Sequence, residues 1–305
     1  MENLIEINHL TKDFGHGRGV FDVSIGVKEG ECFGYLGPNG AGKSTTIRML
    51  MGFTQPDSGE AVINGKSTLK NRYEVMQNVS YIPGEVALPP LLKGKDVIKN
   101  QMELKNVKDR TFLDWLIKEF ELDTNLLCKE MSIGMRRKLV IVCAFMSDPD
   151  IIIMDEPSSG LDPEMQDKFI ELVKLEKKRG KTILLSSHIF REIDVSCDRI
   201  AVIKDGKIVS TFIADDLKHN THKIYKVKFD EKSYQEFMES NSRKYKIIDK
   251  DDVHKELIFA VEDSNVSSFV NLLADKKVID LREIKETLED YFMKFYKEDK
   301  EFVGI

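Results

Sequence analysis

The chain has 305 residues, 46 Lys and Arg against 52 Asp and Glu, and a net charge of −6. That length allows one large or two modest domains, each with its own core. The slightly acidic, evenly mixed charge excludes a broad positive field for nucleic acid, and no run reaches the ~18 apolar residues of a membrane helix. The start, Met1-Glu-Asn-Leu-Ile-Glu6, lacks the basic and apolar stretches of a leader. The chain therefore reads as soluble, reaching a membrane only through a partner. Cys32, Cys128, Cys143 and Cys197 show no C-x-x-C spacing and read as small apolar fillers of a reduced, cytosolic protein.

Up to about Lys66, short apolar runs alternate with turns. Strands are predicted at Leu4–Leu10, Val20–Val27, Glu31–Leu36 and Ala61–Ile63, separated by Lys28-Glu-Gly30, Pro56-Asp-Ser-Gly59 and Asn64-Gly65. After the third strand stands Gly37-Pro-Asn-Gly-Ala-Gly-Lys-Ser-Thr45, a full match to G-x-x-x-x-G-K-[ST]. Gly37, Asn39, Gly40 and Gly42 curl the backbone so that its N–H groups cradle phosphate oxygens. A helix predicted over Ser44–Met51 aims its positive end at the same place. Lys43 reaches the terminal phosphates, Ser44 supplies a Mg²⁺ ligand, and Thr45 completes the loop. Strand, loop and helix together predict a nucleoside triphosphate site.

From about Leu88 to Val142 the period becomes helical, with Phe112, Trp115, Leu116 and Phe120 on one face. Within it, Met131-Ser-Ile-Gly-Met135 precedes the helical run Arg136–Met146. Ser132 and Gly134 there make a second phosphate-binding helix end, for which one triphosphate in one chain has no use. Ile151-Ile-Ile-Met-Asp-Glu156 reads as a buried strand that ends in two acids. Asp155 can hold Mg²⁺ through water, and Glu156 can polarise an attacking water. A helix over Glu164–Arg179 leads through Lys177-Lys-Arg-Gly-Lys181, cations of a last turn before a glycine stop, to a strand at Thr182–Ser186. This β-α-β unit argues for a parallel sheet. His188 follows, able as a neutral imidazole to hold the nucleophilic water. Arg199–Lys204 and Lys207–Thr211 read as a closing hairpin around Asp205-Gly206.

Past Asp216 the pattern changes. Tyr225, Val227 and Phe229 alternate with Lys226 and Lys228, a half-buried strand. Helix Ser233–Ser240, strands Tyr245–Asp249 and Glu256–Val261, helix Asn265–Asp275 and strand Val278–Ile284 follow. That order is the split βαβ, ferredoxin-like arrangement. A last helix is predicted over Thr287–Lys297, with Leu288, Tyr291, Phe292 and Phe295 on one face.

The order phosphate loop, Ser-x-Gly helix start, aspartate–glutamate strand, Ser159-Gly-Leu-Asp162 loop and histidine resembles the ATP-binding cassette (ABC) ATPases, over about residues 4–212. The resemblance implies an α/β P-loop NTPase cassette at 1–215: a RecA-like core, an antiparallel β subdomain and a helical subdomain at about 88–145. A small α+β ferredoxin-like domain follows at 216–305, for which a docking or regulatory role is expected. Two cassettes would meet head to tail around two ATP molecules, each Ser132 and Gly134 capping the nucleotide of the other. By position, Lys43, Ser44 and Thr45 bind phosphate and Mg²⁺, Asp155 serves the metal, Glu156 is the general base and His188 the switch residue. Asp162 communicates between sites. Phe14 stacks on adenine, worth on the order of 1–3 kcal/mol.

Two departures stand out. The signature keeps only the Ser and second Gly of the family's Leu-Ser-Gly-Gly-Gln. The stretch Tyr81-Ile-Pro-Gly-Glu-Val86 also lacks the family's loop glutamine, leaving Glu85 as a candidate metal-linked substitute or a solvated loop acid. The family reading is an ATPase subunit of a transporter, by analogy an exporter, whose separate membrane subunits hold it on the inner face of the cell membrane. Val86–Leu92, apolar and proline-stiffened, is a candidate seat for them. Homodimer and heterodimer both remain open. The rivals are a soluble mechanochemical ABC protein acting on nucleic acid or ribosomes, and a small-molecule kinase. With no basic excess or heptad run, no nucleic acid partner is expected.

Overall fold

Two kinds of apolar pattern in the sequence give two kinds of sheet. The computed structural model describes residues 3–218, 222–239, 245–284, 288–289 and 292–293. The chain divides into two compact units, Met1–Ala214 and Asp215–Ile305.

In the first unit, β1 (Asn3–Asp13), β2 (Gly19–Lys28), β4 (Ser58–Ile63) and the short β5 (Lys66–Ser67) form an antiparallel sheet in the order β2-β1-β4-β5, with β3 (Cys32–Leu36) and α1 (Lys43–Leu50) intervening in the chain. Alternate residues such as Ile5, Ile7, Val23 and Val27 are buried, as a sheet with one packed face requires.

Then come α2 (Arg72–Asn78), β6 (Val79–Ile82), α3 (Gly94–Leu104), α4 (Thr111–Glu119) and α5 (Ile133–Phe145). The single helical stretch of the sequence reading is thus three helices, with α3 and α4 both packed on α5. β7 (Ile151–Asp155), α6 (Pro163–Lys178), β8 (Thr182–Ser187), α7 (Phe190–Ser196), β9 (Arg199–Lys204) and β10 (Lys207–Ile213) complete the series, and α8 (Ala214–Lys218) begins at the boundary between the units.

The second sheet runs β10-β9-β3-β8-β7-β6, parallel throughout except for β10, which pairs antiparallel with β9 as the predicted hairpin. β3, β7 and β8 are buried along their whole length, because helices and the antiparallel sheet cover both faces. Phe33 and Tyr35 of β3, Ile151 and Ile153 of β7 and Leu184 of β8 join the core with α1 and the antiparallel sheet. Each buried side chain of this size contributes about 1.5–3 kcal/mol. α2, β6 and α7 were not read from the sequence. β6 has only four residues, and α7 is a seven-residue helix on β3 and β8.

All four cysteines are free thiols, with Cys32 and Cys197 buried and their sulfurs 3.7 Å apart. The basic run closes α6 as expected: Gly180 takes φ 82, and Arg179 and Lys181 pair with Glu176, Asp148 and Asp150.

The second unit consists of β11 (His222–Phe229), α9 (Glu231–Glu239), β12 (Lys246–Asp251), β13 (Glu256–Glu262), a short 3-10 turn, α10 (Val266–Ala274) and β14 (Val278–Ile284). Its sheet, ordered β12-β13-β11-β14, is wholly antiparallel. Val227, Phe229, Leu257 and Phe259 face Phe237 and Phe269 of the helices in an aromatic core. The predicted helix over Thr287–Lys297 lies largely outside the described residues, although Leu288 and Phe292 are buried.

Candidate nucleotide site

Parallel strands bring their C-terminal ends to one edge, and three of those ends carry the site. Leu36 of β3 lies opposite Ser187 of β8, and Ser186 of β8 opposite Asp155 of β7. That register delivers Gly37, the adjacent Asp155 and Glu156, and His188 to neighbouring positions from three distant parts of the chain.

The loop after β3 is shaped by close backbone approach. A Cβ on Gly37 would lie 2.6 Å from the Ile203 carbonyl oxygen of β9, so only glycine fits. Gly40 and Gly42 take φ 84 and 110, the left-handed region that glycine enters freely. Gly42 is the N-cap of α1 and supplies no side-chain cap. The first N–H groups of that helix have no partner within it.

Lys43, only 5% exposed, folds its ammonium over this loop and donates to the Gly37 oxygen at 2.6 Å and the Pro38 oxygen at 3.0 Å. It also pairs with Glu156 Oε1 at 2.9 Å, and Glu156 Oε2 meets His188 Nδ1 at 2.6 Å. Ammonium, carboxylate and imidazole therefore form one chain of charge and hydrogen bonds. Glu156 itself stands at φ 48, an uncommon conformation for a side-chain-bearing residue, and its N–H donates to the Ser186 carbonyl at 3.1 Å.

A cleft of about 460 Å³ gathers Phe14, Asn39, Gly40, Gly42, Lys43, Ser44, Thr45 and Glu156. Phe14 is 57% exposed at its rim. Arg18 and Asp205 also line it and were not singled out from the sequence. Asp155 lies beneath, 1% exposed, taking a 2.6 Å hydrogen bond from Ser186 Oγ on Oδ1. Hydroxyl and carboxylate oxygens such as Ser44 and Asp155 are the hard donors Mg²⁺ takes. Among the described residues no group of three or more His, Cys, Asp and Glu is placed to hold a metal ion. Glu85 is exposed on the loop after β6; its neighbour Gly84 sits so close to Asp155 that a Cβ there would lie 2.8 Å from Oδ2.

Ser132, Gly134 and Asp162 form a second group that does not line this cleft. Ser132 Oγ caps α5 by accepting from Met135 N–H at 3.1 Å, which leaves its hydroxyl proton free to donate. Gly134 lies against the next loop, where a Cβ would be 2.9 Å from the Gly160 oxygen. Asp162 caps α6 by accepting from Met165 N–H at 3.0 Å.

Two buried charges below the site escaped the sequence reading. Arg137 of α5 is 4% exposed and Glu192 of α7 is 1% exposed. Burial pushes the Glu192 carboxyl up to about 7, against hydrogen bonds from Ser187 and Ser158 that favour its charged form. Burial likewise pulls the Arg137 guanidinium below its ordinary value, while Asp155, Glu156 and Glu192 favour its charge. Their positions carried a signal: Arg137 falls in the stripe with Ile141 and Phe145, and Glu192 next to buried Ile193.

A phosphate loop at a parallel-sheet edge, with a Lys–Glu–His chain above a buried Asp, defines a P-loop nucleoside triphosphatase. Residues 20–159 match the family model described as ABC transporter. The chain is 31% identical to the bacitracin transport ATP-binding protein BcrA of Bacillus licheniformis, over 96% of this chain and 97% of that protein. It is 33% identical to the Nod factor export ATP-binding protein I of Burkholderia orbicola, over 68% of this chain and 69% of that one. A solved ATP-binding subunit of an ABC transporter superposes with a TM-score of 0.65 at 30% identity, covering 71% of this chain and 92% of the other. The chain belongs to the ABC transporter ATP-binding proteins, and its enzymatic activity is ATP hydrolysis. Among the described residues no helix is long and apolar enough to cross a membrane.

Proposed function

We propose that two copies of this cassette close head to tail around two ATP molecules and drive separate membrane subunits of an exporter. The observation that carries the two-copy reading is the placement of Ser132 and Gly134. They form a helix start with a free hydroxyl proton, away from the cleft that gathers the phosphate loop of the same chain. A symmetric pair of chains supplies each cleft with the other's helix start. Export and membrane subunits are supported by the relatives, one named for bacitracin transport and one for Nod factor export. The chain would then be a cytoplasmic, membrane-peripheral protein. Leu91, 73% exposed in the proline-stiffened stretch Val86–Leu92, suits a seat for a membrane subunit.

In the proposed chemistry Phe14 stacks on adenine, and the N–H groups around Asn39, Gly40, Gly42 and Thr45 hold phosphate oxygens. Lys43 exchanges its bond to Glu156 for the terminal phosphates, which frees the carboxylate. Glu156 then takes a proton from the attacking water, and His188, hydrogen-bonded to it, orients that water. Ser44 and Asp155 would hold Mg²⁺, with Glu85 of the loop after β6 as a further candidate through water; the ion would supply charge neutralisation at the phosphates. Asp162, at the loop that Gly134 touches, would relay between the two sites. Residues 1–215 are read as the cassette, with α3–α5 as its helical subdomain. Residues 216–305 are read as a ferredoxin-like accessory unit, which the β-α-β-β-α-β order and fully antiparallel sheet support.

Glu156→Gln tests the reading. We expect ATP to bind with unchanged affinity, turnover to fall about 10²–10⁴-fold, and ATP to shift the variant to a dimer in size-exclusion chromatography. Normal turnover would remove Glu156 as the base, and a monomer with ATP bound would remove the paired site.

A further inference from the structure

Arg137 is a buried cation whose hydrogen bonds all go to main-chain oxygens of the two segments that frame the acids. Its Nε donates to the Ser159 oxygen at 3.1 Å, and its two terminal nitrogens donate to the Pro83 oxygen at 2.7 Å and the Gly84 oxygen at 2.6 Å. Two of these acceptors each lie one step from an acid of the site. Gly84 backs onto Asp155 Oδ2 with no room for a Cβ. Ser159 N–H donates to the Glu156 carbonyl at 3.2 Å, closing the turn in which Glu156 takes its left-handed conformation. Arg137 itself lies on α5, the helix that opens at Ser132, within its second turn.

A planar guanidinium with five N–H donors can hold three carbonyls in a fixed fork, which a lysine cannot. Nothing about packing alone calls for a full charge here, since burying one is costly unless it is well bonded.

We propose that Arg137 is a positioning residue for ATP hydrolysis, clamping the loop behind Asp155 and the turn carrying Glu156 to the helix that opens at Ser132. It touches neither nucleotide nor water. It sets where the two acids stand relative to each other and relative to the start of α5. This rests on the paired-cassette reading for the function of Ser132, but not for the geometry of Asp155 and Glu156. A contact made at Ser132 by a second copy would reach both acids through one rigid helix and one side chain.

The test uses the full chain with Arg137→Gln and Arg137→Lys, each alone and Arg137→Gln also with Glu156→Gln. Steady-state ATP hydrolysis gives kcat and KM, circular dichroism and thermal melting report folding, and size-exclusion chromatography with ATP reports pairing. For Arg137→Gln we expect kcat to fall at least ten-fold with KM within about three-fold, and Arg137→Lys to lie between it and the parent. The double variant should still pair with ATP as Glu156→Gln does. A folded Arg137→Gln with kcat within two-fold of the parent overturns the proposal, as does a rise in KM at unchanged kcat. Loss of pairing only in the double variant overturns it too, making Arg137 part of closure instead. If Arg137→Gln does not fold, Arg137→Lys decides by the same split. Failure of Glu156→Gln itself to pair defeats the two-copy reading while leaving the kcat measurement on Arg137 intact.

Discussion

The helix that follows the phosphate loop, α1, and the helix that follows the signature, α5, begin in opposite ways. α1 starts at Gly42, with φ 110 and no side-chain cap, and Lys43 folds back over its opening. α5 starts at Ser132, whose Oγ already takes the Met135 N–H, and the next residue, Ile133, is 66% exposed. The first start is unfinished within its own chain and sits in a cleft with Phe14 and Glu156. The second is capped, stable by itself and turned to a different part of the surface. The difference teaches that one helix start is left to be completed from the cleft of its own chain, and the other already has its cap; on the proposed reading the first would hold an anion and the second would be presented to a second copy.

The largest expected break in that contrast is at Lys43. Lys43→Ala removes the only side chain bonded to both the loop carbonyls and Glu156 among the described contacts. ATP affinity should fall at least 100-fold, about 3 kcal/mol, by calorimetric titration; unchanged affinity would remove α1 as the anion-holding end.

A smaller effect is expected on the floor beneath the acids. Glu192 has its carboxyl raised to about 7 by burial, from 4.5 when exposed. Below pH 4.5 it is neutral folded or unfolded and costs nothing. Between 4.5 and 7 the unfolded chain loses the proton first, so stability drops as pH rises and levels off above about 7. Glu192→Gln removes that loss. Its melting temperature relative to the parent should climb from pH 5 to pH 8, by up to about 3 kcal/mol in stability terms. A pH-independent difference would mean that the carboxyl stays charged among Ser187, Ser158 and Arg137.

The smallest structural effect, and the sharpest for the comparison, belongs to Ser132→Ala. Losing one cap should cost about 1 kcal/mol of stability. On the proposed reading, turnover should fall further than that cost explains, with ATP binding to the monomer unchanged. If stability and turnover fell only together, α5 would be an ordinary capped helix.

Much of the first unit was legible because its signals are local. Buried runs such as Ile151–Met154 and Cys32–Leu36 can be little else than strands of a doubly covered sheet, and a glycine loop before a helix has few rivals. In the second unit the alternation of Tyr225, Val227 and Phe229 and the helical spacing after it placed every strand and helix within a few residues of where it lies, up to Ile284. What escaped was short or polar. β6 and α7 have too few residues to show a period, and α2 shows only one buried residue, Val75. Arg137 and Glu192 look like solvated charges until their neighbours along the helix are seen to be buried.

The sequence alone determined the phosphate loop, the acids at 155 and 156, the family, and the division into two units near residue 215. These depend on which residues are adjacent in the chain or on simple periodicity. Only the tertiary structure decided that Lys43, Glu156 and His188 form one hydrogen-bonded chain, that Asp155 is buried under Ser186, and that Arg137 binds the carbonyls around both acids. Those contacts join residues 22 to 113 positions apart, brought together by the register of parallel strands and by helix packing. No local pattern encodes that register, because it is fixed by the burial of many side chains at once.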